Sequence, residues 1–378
     1  MKESDRRFGL YVNLPFCKLK CNHCDYTTVK DYNGYSEKYI DALIKEINNY
    51  KNFCIKTIYL GGGTPSILKI RLIEKLYNSI KKNFKIEKDA EFTIEINPDD
   101  VNKILLKNYK DIGINRVSLG TQTFNDKILR FLGRRYDSQT SLNSLKLISE
   151  NFENFSCDLL FAVPKYQTLK TLKTDVEKLL SFKAPHISIY NLVIEKLSYF
   201  GWLEKKNKIS DISDTLYEKY YLNIFELLTK SGYNHYELST YSKSGFECKH
   251  NLIYWKSGEY IGTGSSAHSH ISGSRIWNYK YPKKYIDMIL ETGSAEEGRE
   301  FLSETQKLNE TIMLNLNLGE GLNISEINDK FKIDFYKTYF KKIEYLLKKK
   351  LIESNGNNLK LTLKGKLLAN SVAIELMK

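Results

Sequence analysis

Six short runs rich in β-branched and aromatic residues alternate with segments whose apolar residues recur at spacings of three and four. The runs are typical of strands and the segments of amphipathic helices. Such an alternation implies a parallel sheet whose strands are joined by right-handed helical crossovers. The predicted strands cover residues 9–14, 56–60, 91–96, 116–119, 157–163 and 186–193, and the clearest helices cover 35–50, 69–83, 99–109, 138–151 and 168–182.

Six repeats are fewer than the eight of a closed (β/α)8 barrel, so the predicted fold class is α/β with a partial (β/α)6 barrel. The alternation stops after about residue 195. Beyond that point the apolar spacing predicts a helix over 214–230 and a strand over 235–242. The remainder of the chain is predicted to form a mixed, mainly helical C-terminal part.

The C-terminal end combines helices with a hairpin. An Asn-Gly pair at 355–356 lies between two apolar runs, as in a tight turn, and a final helix is predicted over 362–377. Helices around a hairpin predict a winged-helix-like end, which we interpret as a packing or protein-docking unit. We therefore divide the chain into a barrel over 1–195, a linker and motif-containing region over 196–300, and a winged-helix-like domain over 301–378.

Polar or glycine-rich groups follow several of the predicted barrel strands. Ligands of parallel α/β sheets bind at the carboxyl ends of the strands, so these groups are expected to share one site. Glycines allow close backbone approach, and consecutive amides can bind a carboxylate. The groups are the turn Gly61-Gly62-Gly63-Thr64-Pro65, then Glu95, Gln122, Arg134 in a connection, and Asp158.

Three cysteines follow the first predicted strand, with three and then two residues between them: Cys17, Cys21 and Cys24. A four-iron cubane normally takes four thiolates, so three would leave one iron open. A structural zinc site is an alternative, with His23 as the nearest fourth ligand, although the loop is tight for a tetrahedron. A disulfide is a second alternative, which would leave one odd thiol. We favour the cluster.

Composition limits the class of protein. Cys54, Cys157 and Cys248 are scattered and are expected to be small buried or half-buried side chains. No run approaches the ~20 apolar residues of a membrane span, and no signal region is visible, so a cytoplasmic protein is predicted. The net charge of +13 comes largely from dispersed lysines, such as those at 341–342 and 348–350, so no nucleic-acid partner is expected.

The C-x3-C-x2-C loop after a first strand resembles the signature of radical S-adenosylmethionine (SAM) proteins. The resemblance implies a [4Fe-4S] cluster on Cys17, Cys21 and Cys24, whose open iron holds the amino and carboxyl groups of SAM. An electron from the cluster then splits the sulfonium, so cleavage of SAM would require an electron donor. The SAM-site positions implied by the resemblance are Tyr11, Gly62, Gly63, Thr64, Glu95, Gln122, Arg134 and Asp158.

Within that superfamily the chain resembles the oxygen-independent coproporphyrinogen III oxidase group. Its opening Tyr11-Val12-Asn13-Leu14-Pro15-Phe16-Cys17 is similar to the group's Tyr-x-His-Ile-Pro-Phe-Cys. The chain departs from the oxidase at Asn13, which replaces His, and at Tyr26, where the oxidase has a further cysteine. It also has Ala162-Val163-Pro164 in place of the group's Gly-Leu-Pro.

A second motif resembles the haem chaperones of the same group, which show His-Asn-x-x-Tyr-Trp. The chain has His250-Asn251-Leu252-Ile253-Tyr254-Trp255. An imidazole can ligate haem iron and aromatic rings can stack on a macrocycle, so His250, Asn251, Tyr254 and Trp255 are candidate haem contacts. The alternative is a histidine hydrogen-bonded at a domain junction. His268 and His270 are further candidate ligands.

These resemblances favour a chaperone that binds haem and delivers it to acceptor proteins, such as respiratory haemoproteins at the membrane. The protein itself would be cytoplasmic or peripheral to the membrane. An oxidase that decarboxylates the propionates of coproporphyrinogen III is the first alternative, and a radical SAM enzyme with another substrate is the second. Tyr26 and Asn13 argue against the oxidase.

Overall fold

The computed structural model describes residues 6–377, so the first five residues and the last residue of the predicted domains lie outside the described range. Each of the six predicted barrel strands and each of the five clearest helices is present. One additional helix, Asp126–Leu132, follows the fourth strand. The strands are β1 (Arg7–Leu14), β2 (Cys54–Gly62), β3 (Lys85–Ile96), β4 (Arg116–Gln122), β5 (Phe155–Phe161) and β6 (His186–Asn191). The helices are α1 (Tyr35–Ile47), α2 (Ile70–Asn83), α3 (Lys103–Ile112), α4 (Asp126–Leu132), α5 (Ser138–Asn151) and α6 (Leu169–Ser181).

Side-chain caps fix where the helices begin. Asp137 accepts a hydrogen bond from the Thr140 amide, so α5 begins at the predicted residue. Helix α3 begins at Lys103 rather than at residue 99, because Pro98–Asp100 forms a separate 3-10 turn and Asn102 then caps α3. This prediction was wrong by one helical turn at its start.

The strands β1 to β6 are parallel neighbours in chain order, as in a partial barrel. The sheet has twelve strands and stays open, because within the described residues its two end strands do not pair with each other. The α/β fold with an incomplete barrel is therefore confirmed. The strands that extend it are β7 (Asn234–Glu237), β8 (Thr240–Ser242), β9 (Tyr260–Thr263), β10 (His268–Ile271), β11 (Ser274–Asn278) and β12 (Glu296–Phe301).

The segment after residue 195 adds to both edges of the sheet. The single strand predicted over 235–242 is wrong, because the chain turns at Leu238 and Ser239 and forms the antiparallel pair β7 and β8 beside β6. At the other edge β9 pairs in parallel with β1, and β10 to β12 continue in antiparallel order. The helices of this segment are α7 (Tyr199–Lys205), α8 (Asp214–Lys230), α9 (Lys249–Trp255) and α10 (Pro282–Thr292).

The C-terminal part forms a winged-helix-like module with a second hydrophobic core, built from side chains between Leu308 and Leu376. The hairpin is present, with its turn at 355–357. The final helix breaks at Leu368, which differs from the single helix predicted over 362–377. The elements are α11 (Glu304–Leu316), β13 (Leu322–Asn323), α12 (Ile324–Phe331), α13 (Phe335–Lys348), β14 (Ile352–Ser354), β15 (Asn358–Leu361), α14 (Leu363–Leu367) and α15 (Ala369–Leu376).

The main core fills the space between the barrel strands and the helices that cover them, and extends to Ala295. Buried apolar side chains alternate with polar ones over 116–119 in β4 and 155–159 in β5, so one face of these segments is apolar and the other lines the interior of the barrel. None of the helices within 6–377 has the length and apolar character that crossing a membrane requires.

Candidate functional site

The cysteine loop is joined by hydrogen bonds to the glycine-rich turn after β2. The amides of Gly63 and Thr64 donate to the carbonyls of Leu14 (2.9 Å) and Phe16 (2.7 Å). Gly62 has φ +106°, and a Cβ there would lie 1.9 Å from Oδ1 of Asn13. The glycines are therefore required by the close approach of the two loops.

The three cysteines line one cavity, which we call the outer cavity, at the carboxyl end of the strands. Burial raises the pKa of the Cys17 and Cys24 thiols. All six cysteines are free, so the loop holds no disulfide. Between residues 6 and 377, no three His, Cys, Asp or Glu side chains converge closely enough for a single metal ion.

The outer cavity has a volume of about 230 Å³, somewhat below the roughly 300–1,000 Å³ of typical ligand pockets. The turn after β2, the ends of β3 to β5 and the connection after α4 all contribute to its wall. The cavity therefore brings together the cysteines and seven of the eight predicted SAM-site residues, which are Gly62, Gly63, Thr64, Glu95, Gln122, Arg134 and Asp158.

Glu95 lies at the end of β3 and accepts hydrogen bonds from the Tyr59 hydroxyl (3.0 Å) and the Gly62 amide (3.2 Å). Burial, and then the negative charge of Asp158, raise the pKa of Glu95 to about 7. The carboxyl group can therefore accept or donate a hydrogen bond near neutral pH.

Arg134 extends into the outer cavity from the connection after α4. Its Nη1 lies 3.5 Å from Oδ1 of Asn97, whereas its buried Nε has no hydrogen-bond partner. Buried polar atoms without partners are rare in native proteins, so this atom is suited to a ligand acceptor. Asp158, on β5, accepts hydrogen bonds from Ser118 (3.1 Å) and Ser156 (3.3 Å), and burial raises its pKa.

Two of the expected arrangements differ from the structure. Tyr11 is not among the residues that line the outer cavity, because its ring packs beside Tyr59 and His250 within the sheet layer. The amides of Gly62, Gly63 and Thr64 donate to Glu95, Leu14 and Phe16. They are therefore not available together to bind a carboxylate, although the three residues do line the cavity.

The donor set fits a cluster with SAM. Three thiols from one loop can hold a cubane that keeps one iron open. The unpaired Nε of Arg134 can meet a carboxylate, and Glu95 can accept hydrogen bonds from an amine or ribose. The polar lining of the outer cavity thus matches a zwitterionic nucleoside ligand.

A second cavity, the inner cavity, lies deeper in the barrel and shares Tyr26, Glu95, Ser118 and Asp158 with the outer one. The Arg116 side chain is 2% exposed and lies 4.0 Å from Glu91, and its Nε also lacks a hydrogen-bond partner. The other lining residues are Tyr59, Ser156, His186, Ser188, Tyr190 and Asn251.

His250 is buried and both of its ring nitrogens are hydrogen-bonded. Nδ1 lies 2.8 Å from Oγ1 of Thr57, and Nε2 lies 2.8 Å from the Tyr254 hydroxyl. Burial, and then the charge of Arg116, lower the pKa of His250 to about 3, so the ring is neutral at pH 7. The ring stacks on Tyr59, 5.1 Å away, and thus supports the residue that holds Glu95.

The rest of the α9 motif lies between the barrel and the C-terminal module. Asn251 lines the inner cavity. The hydroxyl of Tyr254 contacts His250, and the carbonyl of Trp255 accepts a 2.6 Å hydrogen bond from Asn315 of α11. This arrangement agrees with the alternative interpretation of the motif, in which the histidine is hydrogen-bonded at a domain junction.

The remaining two candidate histidines lie on β10, away from both cavities. His268 is exposed and its ring lies 6.4 Å from that of Trp277. Nδ1 of His270 lies 3.1 Å from the Gly258 carbonyl. Neither residue lines a cavity with the predicted haem contacts on α9.

Sequence reasoning missed several cavity residues. Asn97, Ser118 and Gly120 line the outer cavity, and Arg116 lines the inner one. The alternation of Arg116 and Ser118 along β4 would have identified an inward-facing pair. Asn97 lies two residues after Glu95 and therefore on the same face, so the same rule would have found it.

Family comparisons agree with this geometry. Residues 12–176 match the model of the Radical SAM superfamily, and residues 302–368 match that of the HemN C-terminal domain. The first match contains the cysteine loop and every strand-end residue of the outer cavity. Radical SAM membership implies a [4Fe-4S] cluster and SAM as cofactors, which confirms that prediction.

Curated relatives place the chain more narrowly. It is 34% identical to a heme chaperone HemW of Lactococcus lactis subsp. lactis, over 96% of this chain and 95% of the relative. The chain belongs to the HemW family. A HemW of Bacillus subtilis is 33% identical over 96% and 97% of the two chains, and one of Escherichia coli is 34% identical over 70% of each. The predicted family is therefore confirmed.

A solved structure supports the fold. The coproporphyrinogen III oxidase HemN of Escherichia coli, described as a radical SAM enzyme, superimposes with a TM-score of 0.86. The match covers 99% of this chain and 91% of that one, at 23% identity. This chain and HemN thus share one architecture, and the similarity to HemN concerns the fold alone.

Proposed function

We propose that this protein is a haem chaperone, which binds haem and delivers it to haem-accepting proteins. Its relatives from Lactococcus and Bacillus, named as heme chaperones, align over nearly the whole chain, and this observation carries the proposal. The outer cavity supports the accompanying cofactor site, because three thiols and the SAM-contact candidates share it.

In this proposal Cys17, Cys21 and Cys24 hold the cluster. Arg134 binds the SAM carboxylate through its unpaired Nε, and Glu95 accepts hydrogen bonds from the amino group or ribose of SAM. When bound, the cluster and SAM supply one-electron chemistry at the sulfonium. The residues of the outer cavity bind and orient SAM, and an electron donor is needed only where SAM is cleaved.

Coproporphyrinogen III oxidation is the competing function, and Tyr26 is the observation against it. The side chain occupies the position of the oxidase's additional cysteine, and it lines both cavities. Asn13 also differs from the oxidase histidine, and its Nδ2 donates to the Ser265 carbonyl (2.5 Å), which ties β1 to the turn after β9.

We place the protein in the cytoplasm or at the membrane periphery, with respiratory haemoproteins as candidate acceptors. The lysine-rich C-terminal module is a suitable docking unit, since Lys341 and Lys348 to Lys350 are exposed. Domain limits near residues 195 and 300 remain part of this proposal.

A paired assay tests the function. Anaerobically reconstituted full-length protein is given haem in one sample, and coproporphyrinogen III with SAM and a reductant in another. We expect a Soret band that titrates with haem, and no protoporphyrinogen IX. Decarboxylation above the background rate would instead restore the oxidase.

A further inference from the structure

Six large apolar side chains on the cysteine loop and on the segment after β6 are exposed to solvent, and we call them the rim patch. Their exposed fractions lie between 47% and 75%. The cysteine loop contributes two of them and the segment after β6 contributes four. The rim patch consists of Leu19, Tyr26, Val193, Leu197, Tyr199 and Trp202.

The two segments of the rim patch are joined directly. The Asn22 carbonyl, in the cysteine loop, accepts a 2.9 Å hydrogen bond from the Phe200 amide of α7. The Phe200 ring stacks on Phe131 at 4.6 Å, and the Asn22 side chain donates to the Phe131 carbonyl. Leu19 and Tyr26 line the outer cavity, and the hydrogen bond to Phe200 joins their loop to the segment that carries the other four residues.

The exposed residues after β6 belong to a segment whose other side chains are firmly packed. Leu192, Ile194 and Phe200 are buried together in a small hydrophobic cluster. Gly201 packs so closely that a Cβ would lie 2.3 Å from the Glu195 carbonyl oxygen. Buried and exposed apolar residues therefore alternate along this segment, and the exposed ones have no intramolecular core to enter.

The chemistry of the patch combines a flat aromatic surface with cations. The rings of Tyr199 and Trp202 are stacked, with 5.6 Å between centroids and 17° between planes. Nζ of Lys208 lies 5.9 Å from the Trp202 ring. Three further exposed lysines belong to the same segment, which are Lys196, Lys205 and Lys206.

We propose that the rim patch is the haem-binding surface, with the macrocycle against Tyr199 and Trp202 and the propionates towards the lysines. Haem has a wide apolar face and two carboxylates, and this surface offers complements to both. The α9 motif offers less, since His250 is buried and both its ring nitrogens are already hydrogen-bonded. The inference rests on the proposed haem chaperone function.

Haem titration of the cluster-loaded full-length protein tests the inference. Tyr199→Ala/Trp202→Ala should weaken haem binding about tenfold or more, because both aromatic contacts with the macrocycle and their buried apolar area are lost. Lys205→Gln/Lys206→Gln/Lys208→Gln should weaken it severalfold, most strongly at low salt. Iron and sulfide content and the thermal unfolding curve should match those of the unaltered protein.

Helix α13 provides matched controls, because it also carries exposed aromatics beside lysines. Phe340 and Tyr345 are 62% and 50% exposed, and Lys349 lies over the Tyr345 ring. Phe340→Ala/Tyr345→Ala should leave haem affinity unchanged. An equal loss in this control would mean non-specific adsorption and would overturn the proposal.

The remaining outcomes separate this inference from the proposed function. If the unaltered protein binds no haem, the chaperone function itself fails. If it binds haem and the rim variants bind equally well, only the rim patch assignment fails. Normal haem binding by the rim variants, with slower transfer to an apo-acceptor, would make the patch a protein-docking surface and would also overturn the assignment.

Discussion

The mouth of the barrel and helix α9 both carry motifs that suggest ligand binding, but they differ in how fully their polar groups are paired. At the mouth, Nε of Arg134 has no partner and the cysteine thiols face a cavity. In α9, both ring nitrogens of His250 are hydrogen-bonded and its backbone amide donates to Glu91. The mouth therefore has polar groups free to bind a ligand, whereas the motif histidine uses its polar groups to stabilise the barrel.

The largest effect is expected at the cysteine loop. Replacing Cys17, Cys21 and Cys24 together by Ala should abolish cluster binding, because no other thiol of the described chain lines the outer cavity. Iron and sulfide analysis after anaerobic reconstitution measures this loss. Cys54→Ala is the control and should keep the full cluster content. Unchanged iron and sulfide in the triple variant would contradict the assignment of the mouth.

The next largest effect is expected in helix α9. His250→Ala should destabilise the protein by about 2–5 kcal/mol, since it leaves a cavity and removes two buried hydrogen bonds. The shift of the denaturant midpoint measures this change. Tyr254→Phe keeps the ring and removes one hydrogen bond, so its cost should be about 1–2 kcal/mol. A normal midpoint with an altered Soret band in His250→Ala would instead make this residue a haem ligand.

A smaller effect is expected for SAM binding. Arg134→Gln should weaken SAM binding by about 1.5–3 kcal/mol, or tenfold or more, because a charged hydrogen bond to the carboxylate is lost. The EPR change that SAM causes in the reduced cluster reports the affinity. Its neighbour Arg135 pairs with Asp99, so Arg135→Gln is the matched control. Equal affinities in the two variants would show that the unpaired Nε has no part in SAM binding.

The smallest effect is a pH dependence at Glu95. Its folded pKa of about 7 exceeds the value of about 4.3 for an unfolded glutamate, so its protonated form stabilises the fold. This contribution is complete below pH 4.3 and is lost as the pH rises through 7.

Glu95→Gln imitates the protonated carboxyl group. Its stability relative to the unaltered protein should therefore increase between pH 5 and pH 8 by at least about 1.4 kcal/mol, the value of one pKa unit. Denaturation of the SAM-free protein at both pH values measures the difference. Glu74→Gln, on an exposed position of α2, should show no such increase. The same pH dependence in both variants would show that burial of Glu95 does not cause the effect.

The barrel could be predicted because its signals are local. Each of the strands β1 to β6 contains a buried apolar run that reveals its presence, and the Asp137 cap sets the start of α5 at the predicted residue. The strands β9 to β12 escaped prediction because they are short, and β12 reads Glu-Glu-Gly-Arg-Glu-Phe. A charged strand of this kind is stable only as an edge beside an existing sheet, which sequence periodicity does not reveal.

Some residues of the candidate site could also be predicted from the sequence, and others could not. The cysteines and Glu95 could be assigned from spacing and from strand ends, since parallel strands bring their carboxyl ends together. The burial of His250 could not, because its partner Thr57 lies on β2, 193 residues away in the chain. The rim patch could not either, since Tyr199 and the buried Phe200 have the same apolar character in sequence.

The pairing of strand β1 with two other strands affects how the protein folds during its synthesis. One of its edges pairs with β2, which follows soon in the chain, but the other pairs with β9. Gly9 therefore cannot pair with Tyr260 until β9 has been synthesised. At 5–20 residues per second, the ribosome needs roughly 12–50 s to make the intervening chain. During that interval an apolar strand edge stays open to other nascent chains. A protein from this family of chaperones is thus itself expected to depend on protection during its own synthesis.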